Sequence, residues 1–190
     1  MNSVYLLTGR PGSGKTSLIK QFLAEITVKA GGFYTEEIRE RGTRLGFRLV
    51  TLDGREALLA DIGLKKAPRV GKYGVDVAAM DRVGVPALLA ASRDDDIVVI
   101  DEIGKMELLS EEFRDAVMKI IGSGRRVLGT IMLQPHPFAD AVKGLPGVKV
   151  VMLTREGYQQ ALEEVRWWLE TITDTGTNSP GSPLSRDLAD

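Results

Sequence analysis

Residues 4–26 read VYLLTGRPGSGKTSLIKQFLAEI, and this stretch decides the fold. Its first part, Val4–Thr8, is apolar and β-branched and predicts a buried strand. Gly9–Thr16 then match the pattern G-x-x-x-x-G-K-[ST] in full. Ser17–Ile26 repeat apolar residues at helical spacing, so a helix follows. A strand, a glycine-rich loop and a helix in this order predict a phosphate-binding loop.

The chemistry of that loop follows from its residue types. Glycines let the backbone wrap around phosphate oxygens, and the helix N-terminus adds partial positive charge. We expect Lys15 to act catalytically by reaching the β and γ phosphates, and the Thr16 hydroxyl to bind Mg²⁺. The predicted nucleotide-binding residues of the loop are Gly9, Arg10, Pro11, Gly12, Ser13, Gly14, Lys15 and Thr16.

A second acidic site follows the apolar strand Ile97–Ile100, which ends in Asp101 and Glu102. In a parallel sheet, these acids and the phosphate loop share the carboxyl edge, where ligands bind. We expect Asp101 to hold Mg²⁺ and Glu102 to orient and deprotonate a water molecule. Hydrolysis is therefore the leading reaction. The alternative is an ordinary strand-to-helix turn with acids near the next helix.

The remaining pattern alternates strands with helices. Apolar runs at Val127–Met132 and Val148–Leu153 read as further strands, buried on both faces. Such alternation predicts an α/β fold with a mainly parallel sheet flanked by helices. The predicted helices begin near Lys15, Val85, Ser110, Phe138 and Arg155.

Residues 32–61 read differently, as short strands separated by the turn signals RG and DG. This pattern predicts an antiparallel hairpin insertion. Its arginines alternate with acids, which is typical of a solvated hairpin face, and a lid or partner surface is the alternative. They are Arg39, Arg41, Arg44 and Arg48.

Composition excludes several chemistries. The 190 residues contain no Cys and one His, His136, so thiolate zinc sites, iron–sulfur clusters, cysteine nucleophiles and multi-histidine metal sites are ruled out. A catalytic metal would be a hard cation such as Mg²⁺. With 25 Lys plus Arg against 26 Asp plus Glu, the chain has no broad positive field. Nucleic acid is therefore not an expected partner, and protein partners are not indicated.

The first and last segments of the sequence bear on the expected cellular location and on the expected domain boundaries. No uncharged run approaches the roughly 18 residues of a membrane span, and the first apolar run is too short for a signal segment. We expect a cytoplasmic protein. Periodicity is lost near Thr173, where Gly, Pro, Ser and Asp accumulate. The predicted organisation is one nucleotide-binding domain, residues 1–172, followed by a disordered tail, residues 173–190.

Three further polar residues are candidates for contacts with the nucleotide, with a structural role or simple solvation as the alternative. Thr130 closes a buried strand and is a candidate γ-phosphate sensor or a packing residue. Lys105 offers a second cation near the phosphates or is simply solvated. Arg155 follows the last strand and is a candidate contact to base or ribose.

The segments GRPGSGKT, GGFYTEEIRE, GFRLV and VVIDEIGKMELLS together resemble the cancer-related nucleoside-triphosphatase family over about residues 1–170. The resemblance implies a RecA-like α/β fold and Mg²⁺-dependent hydrolysis of ATP, GTP, CTP and UTP to diphosphate and phosphate, with low base selectivity. It implies that Gly9–Thr16 form the phosphate and Mg²⁺ site. It also implies a second nucleotide-contacting segment, formed by Asp101, Glu102, Ile103, Gly104, Lys105, Met106, Glu107 and Leu108.

Two other functions use the same parts. A P-loop kinase would need an arginine-rich closing lid, for which the hairpin around Arg39–Arg48 is the candidate. A guanine-specific switch normally carries Asn-Lys-x-Asp, but the only asparagines are Asn2 and Asn178. An adenine-driven regulatory switch stays open, because slow hydrolysis and switching use the same residues.

Overall fold

The computed structural model describes residues 2–173, and within them nine strands form a single sheet. The strands are β1 (Val4–Thr8), β2 (Ala30–Glu40), β3 (Thr43–Thr51), β4 (Glu56–Asp61), β5 (Arg69–Val70), β6 (Tyr73–Val75), β7 (Ile97–Ile103), β8 (Val127–Ile131) and β9 (Val148–Met152). Their order across the sheet is β5-β6-β4-β3-β2-β7-β8-β1-β9.

Helices lie between the strands and cover both faces of the sheet. They are α1 (Lys15–Glu25), α2 (Val77–Ala79), α3 (Val85–Asp94), α4 (Glu111–Gly122), α5 (Pro137–Lys143) and α6 (Tyr158–Thr173). A π-helical turn, Met80–Gly84, joins α2 to α3, so this helical segment begins earlier than the predicted start at Val85. Pro86 lies two residues after the turn and has no N–H to donate, which suits a break in the regular hydrogen-bond ladder.

The core of the sheet is parallel, as the sequence predicts. β2, β7, β8, β1 and β9 pair in parallel with one another, in that order. Alternate residues of β1 enter the two apolar clusters: Val4 and Leu6 pack on the face covered by α3, α4 and α5, and Tyr5 and Leu7 on the face covered by α1 and α6. The prediction of a RecA-like α/β fold with added antiparallel strands is confirmed.

The antiparallel hairpin predicted for residues 32–61 is present, and it extends this same sheet. The first residues of β2, Ala30–Phe33, pair in parallel with Ile97–Ile100, and β2 then continues into the hairpin with β3. Antiparallel pairing continues through β6 to Val75. The sequence does not predict the start of β2, because that part contains glycines and glycine is depleted in strands.

Gly32 is required where β2 approaches β7. Its φ is +111°, and a Cβ at this position would lie 2.1 Å from the Val99 carbonyl oxygen. Only glycine fits such an approach without displacing the neighbouring backbone.

Two expectations about the chain as a whole can be compared with this structure. Across residues 2–173, every helix is too short or too polar to cross a bilayer. The predicted tail, residues 173–190, lies outside the described residues, apart from Thr173 at the end of α6.

Candidate active site

The phosphate loop joins β1 to α1 at the carboxyl edge of the sheet. Gly14 precedes the helix with φ 96°, a left-handed conformation that glycine adopts without strain. No side chain among the described residues caps α1, and its first turn carries no acid. The free N–H groups of this helix end are therefore available to an anion. Lys15 lies across the loop, where its Nζ donates to the Gly9 carbonyl at 3.2 Å.

Asp101 is almost completely buried within β7. Its Oδ1 accepts a 2.6 Å hydrogen bond from the Thr130 hydroxyl, while its Oδ2 is buried and accepts no hydrogen bond of good geometry from the described residues. Desolvation raises the pKa of Asp101, and the nearby hydroxyls of Thr130 and Thr16, the charge of Lys15 and the Thr35 backbone oppose that rise. The carboxyl thus has one anchored oxygen and one that lacks a partner.

These donors fit a magnesium ion. Mg²⁺ takes oxygen ligands and usually keeps waters and substrate phosphates in its shell. The unpartnered Asp101 Oδ2 and the Thr16 hydroxyl are ligands of that type. Among residues 2–173, no three acidic or histidine side chains gather as a ready-made metal cage.

Glu102 is half-buried and lines the cleft beside the loop. Desolvation raises the pKa of Glu102; the positive charge of Lys15 opposes this rise, and the negative charge of Asp101 adds to it. A carboxylate with a raised pKa is a stronger base than a solvated one. This environment favours proton abstraction by Glu102.

Glu107 lies behind Glu102, fully enclosed. A Cβ placed on Gly104 would lie 2.9 Å from Glu107 Oε2 and 3.3 Å from the Glu102 carboxyl carbon, so both acids flank the same glycine. Burial raises the pKa of Glu107 to about 8, with a further contribution from the charge of Glu102. Glu107 is therefore favoured in its neutral form, next to a second acid in the cleft.

The cleft beside the loop has a volume of about 470 Å³. It is bounded by the phosphate loop, by Glu102, by the β2–β3 hairpin and by the segment after β8. Its lining residues are Gly9, Arg10, Pro11, Gly12, Lys15, Thr16, Thr35, Glu37, Arg44, Phe47, Glu102, Met132, Leu133 and Gln134.

The predicted site residues do not include the hairpin residues of this lining. Thr35, Glu37, Arg44 and Phe47 line the cleft. For this hairpin the sequence predicts a solvated face, with a lid or partner surface as the alternative. Glu37 and Phe47 lie directly opposite each other in the β2–β3 ladder, so they share one face of the sheet. A usable signal was present: β2 follows the helix of the phosphate loop, and its carboxyl end reaches the edge where ligands bind.

The structure brings together only part of the predicted second segment. Asp101 and Glu102 reach the phosphate loop, but Ile103 and Leu108 pack in the apolar core. Of the rest, Gly104 is buried, Met106 packs against the same core, Lys105 is exposed, and none of the three lines the cleft. The cleft-lining set is thus narrower than the predicted set.

The remaining candidates lie elsewhere. Thr130 is fully buried and donates to Asp101 instead of lining the cleft. Arg155 lines a neighbouring cleft of about 620 Å³ on the other side of the loop, together with Arg10, Leu133 and Met152. His136 caps α5, because its Nδ1 accepts from the Phe138 N–H at 3.3 Å.

Fold and site together define a P-loop nucleotide-binding protein with a RecA-like α/β sheet. The sequence profile of the family described as NTPase matches residues 4–166. The chain therefore belongs to the NTPase family and is a hydrolase.

Relatives from distant organisms match most of the length of this chain. The chain is 47% identical over 165 residues to the nucleoside-triphosphatase THEP1 of Thermotoga petrophila. The aligned residues cover 87% of this chain and 92% of that relative. The crystal structure of THEP1 from Aquifex aeolicus superposes with a TM-score of 0.81 at 35% identity, covering 88% of this chain and 99% of that one. The solution structure of a human cancer-related nucleoside triphosphatase gives a TM-score of 0.74 at 36% identity, with coverages of 90% and 98%. The family resemblance seen in the sequence is confirmed.

Proposed function

We propose that this protein hydrolyses nucleoside triphosphates to the diphosphate and phosphate in a Mg²⁺-dependent reaction with low base selectivity. The observation that carries the proposal is that Lys15, Thr16 and Glu102 line one cleft, with Asp101 buried beside Lys15 and Thr16. These residue types supply the phosphate cradle, the metal ligands and the base that phosphoryl transfer to water needs.

Each residue has a distinct role in the proposed reaction. The loop N–H groups and Lys15 bind the β and γ phosphates, while Thr16 and Asp101 would hold Mg²⁺. The metal, when bound, neutralises charge on the phosphate oxygens. Glu102 accepts a proton from water as the water oxygen bonds to the γ-phosphorus. The bond from the γ-phosphorus to the β–γ bridging oxygen breaks, and the diphosphate leaves with that oxygen.

The base and ribose are assigned to the 620 Å³ cleft. Leu133 and Met152 keep 39% and 54% of their surface exposed there, so they offer apolar contact to any base. Arg155 supplies a cation beside them. A site built from such contacts does not distinguish ring edges strongly, which supports acceptance of ATP, GTP, CTP and UTP.

The hairpin arginines support hydrolysis over transfer to a nucleoside. Arg48 is held by Glu36 and Glu56, and Arg39 is held by Glu37. Neither of these arginines lines the cleft, so the hairpin does not place several arginines over the phosphates as the closing lid of a nucleotide kinase does.

Phosphate release from each of the four triphosphates, with Mg²⁺ and with a chelator, tests the proposal. We expect release from all four that stops when Mg²⁺ is removed. Lys15→Ala should abolish triphosphate binding or turnover, while the matched control Lys105→Ala, an exposed lysine outside the cleft, should keep both. Phosphate appearing on an added nucleoside instead of in solution would contradict hydrolysis.

A further inference from the structure

Arg44 stands apart from the other hairpin arginines because it alone lines the phosphate cleft. Its guanidinium carbon lies 5.4 Å from the centroid of the Phe47 ring, and its terminal nitrogen pairs with Glu37 Oε1. Its Nε is buried and finds no acceptor among the described residues. Arg44 therefore lines the cleft and carries one buried donor without a partner.

Glu37 is shared by two arginines on separate oxygens. Arg44 pairs with Oε1, whereas Arg39 pairs with Oε2 at 2.6 Å and also donates from Nε at 2.7 Å. If Arg44 moves away, Glu37 keeps a cation through Arg39. Releasing Arg44 to another anion thus leaves no isolated carboxylate, and the cost of release is small.

The cleft opposite Arg44 is built for an anion. Arg44 shares the lining with Lys15, Thr16 and Glu102, so the guanidinium faces the same space as the catalytic groups. A triphosphate entering that space carries more negative charge than one Glu37 carboxylate and competes for the guanidinium. The planar donor fork of arginine matches phosphate oxygens, and Phe47 supports its plane from one side.

We propose that Arg44 is an arginine finger supplied in cis, which exchanges Glu37 for the γ-phosphate as negative charge develops there. The inference rests on the proposed hydrolysis and adds a catalytic residue to it. Arg44 donates hydrogen bonds and transfers no proton, so the bonds formed and broken remain those of the hydrolysis itself. Since the finger acts on the transition state, its loss affects turnover more than ground-state binding.

The test compares Arg44→Ala with Arg39→Ala, which loses the other partner of the same carboxylate. We expect Arg44→Ala to lower kcat by about 10³-fold with ADP affinity unchanged, and Arg39→Ala to stay within about threefold of wild type. Arg44→Ala should also fail to trap ADP with aluminium fluoride, a mimic of the transferred phosphoryl group. Equal losses in the two variants, or an Arg44→Ala protein that traps the complex normally, would overturn the proposal.

Further measurements separate catalysis from folding and from the proposed function. Guanidinium ion at low millimolar concentration should restore part of the rate in Arg44→Ala, which a purely structural defect would not allow. Arg44→Lys should keep the wild-type melting temperature yet recover little activity, because lysine lacks the fork. Restoration of full activity by lysine would contradict a finger. If wild type released no phosphate, the proposed hydrolysis itself would be contradicted. ADP affinity would then still report whether the nucleotide site is intact.

Discussion

The Thr130 hydroxyl donates a 2.6 Å hydrogen bond to Asp101 Oδ1, and both side chains are fully enclosed. This contact joins the neighbouring strands β8 and β7 directly beside the phosphate loop. It orients the carboxylate and leaves Oδ2, the oxygen without a partner, as the ligand for Mg²⁺ in the proposed reaction.

Thr130→Val should therefore impair both stability and the metal site. Valine preserves the volume but removes the donor, so we expect a loss of about 1–3 kcal/mol in the free energy of unfolding. Half-maximal activity should need about tenfold more Mg²⁺, a size typical for loss of a group that orients a ligand. Urea denaturation and a Mg²⁺ titration of phosphate release measure the two effects.

Thr8→Val is the matched control for that substitution. Thr8 is also a buried strand threonine, but its hydroxyl has no partner within residues 2–173. Its replacement should leave stability unchanged or improve it, because no hydrogen bond is broken. A similar loss in both variants would show that the contact between Thr130 and Asp101 contributes little.

Glu102→Gln should separate binding from chemistry. The amide keeps the shape of the side chain but cannot accept the proton of water, so we expect a loss of at least ~100-fold in kcat with nucleotide affinity retained. Glu111→Gln, at an exposed helix start, should behave as wild type. Steady-state phosphate release and binding of a fluorescent nucleotide provide the two measurements. Full activity in Glu102→Gln would refute its role as the base.

Glu107 should make the folded state sensitive to pH. Burial raises the pKa of Glu107 to about 8 from its ordinary value of 4.5. Between those values the folded state binds more protons than the unfolded state, so the contribution of Glu107 to stability is fully present below about pH 4.5 and is lost as pH rises toward 8. We expect this group to remove on the order of 3 kcal/mol of unfolding free energy across that range.

Glu107→Gln tests this directly, since glutamine is neutral at every pH. Chemical denaturation of the variant at pH 5 and pH 8 should give a smaller difference in stability than wild type shows. The exposed Glu112→Gln should keep the wild-type difference. Identical pH dependence in wild type and Glu107→Gln would mean that another group is responsible.

Gly32→Ala should destabilise far more than a turn glycine does. A Cβ at Gly32 would meet the Val99 carbonyl oxygen at 2.1 Å with φ +111°, whereas Gly42 has φ +80° and no atom within 4 Å. We expect Gly42→Ala to cost about 1–2 kcal/mol from its conformation alone and Gly32→Ala about 4 kcal/mol. Urea unfolding of the pair measures both, and equal costs would contradict the close approach of β2 to β7.

The parallel core was accessible from sequence because its signals are local. Buried strands appear as continuous apolar runs, and Val4–Thr8 is recognised without reference to any other part of the chain. The start of β2 was not accessible, since Gly31 and Gly32 resemble a turn. Only their position beside β7 makes glycine necessary.

By itself, the sequence determined the phosphate loop, its flanking strand and helix, and the acids of β7. The loop is a contiguous pattern whose backbone geometry depends on its own glycines. Asp101 and Glu102 end an apolar strand, and in a parallel sheet that end lies at the same edge as the loop. Local order along the chain is sufficient for these features.

Tertiary structure alone decided which distant side chains complete the site. Arg44 and Glu37 belong to the cleft because β2 lies beside β7 in the parallel core, and hydrogen-bond register then sets which face of the hairpin meets the loop. In a strand, successive side chains point to opposite faces, so the alternation of charges has the same period for both faces. The sequence therefore does not show which face of the hairpin meets solvent and which meets the cleft. The burial of Glu107 is decided in the same way, because its environment comes from packing rather than from its neighbours in sequence.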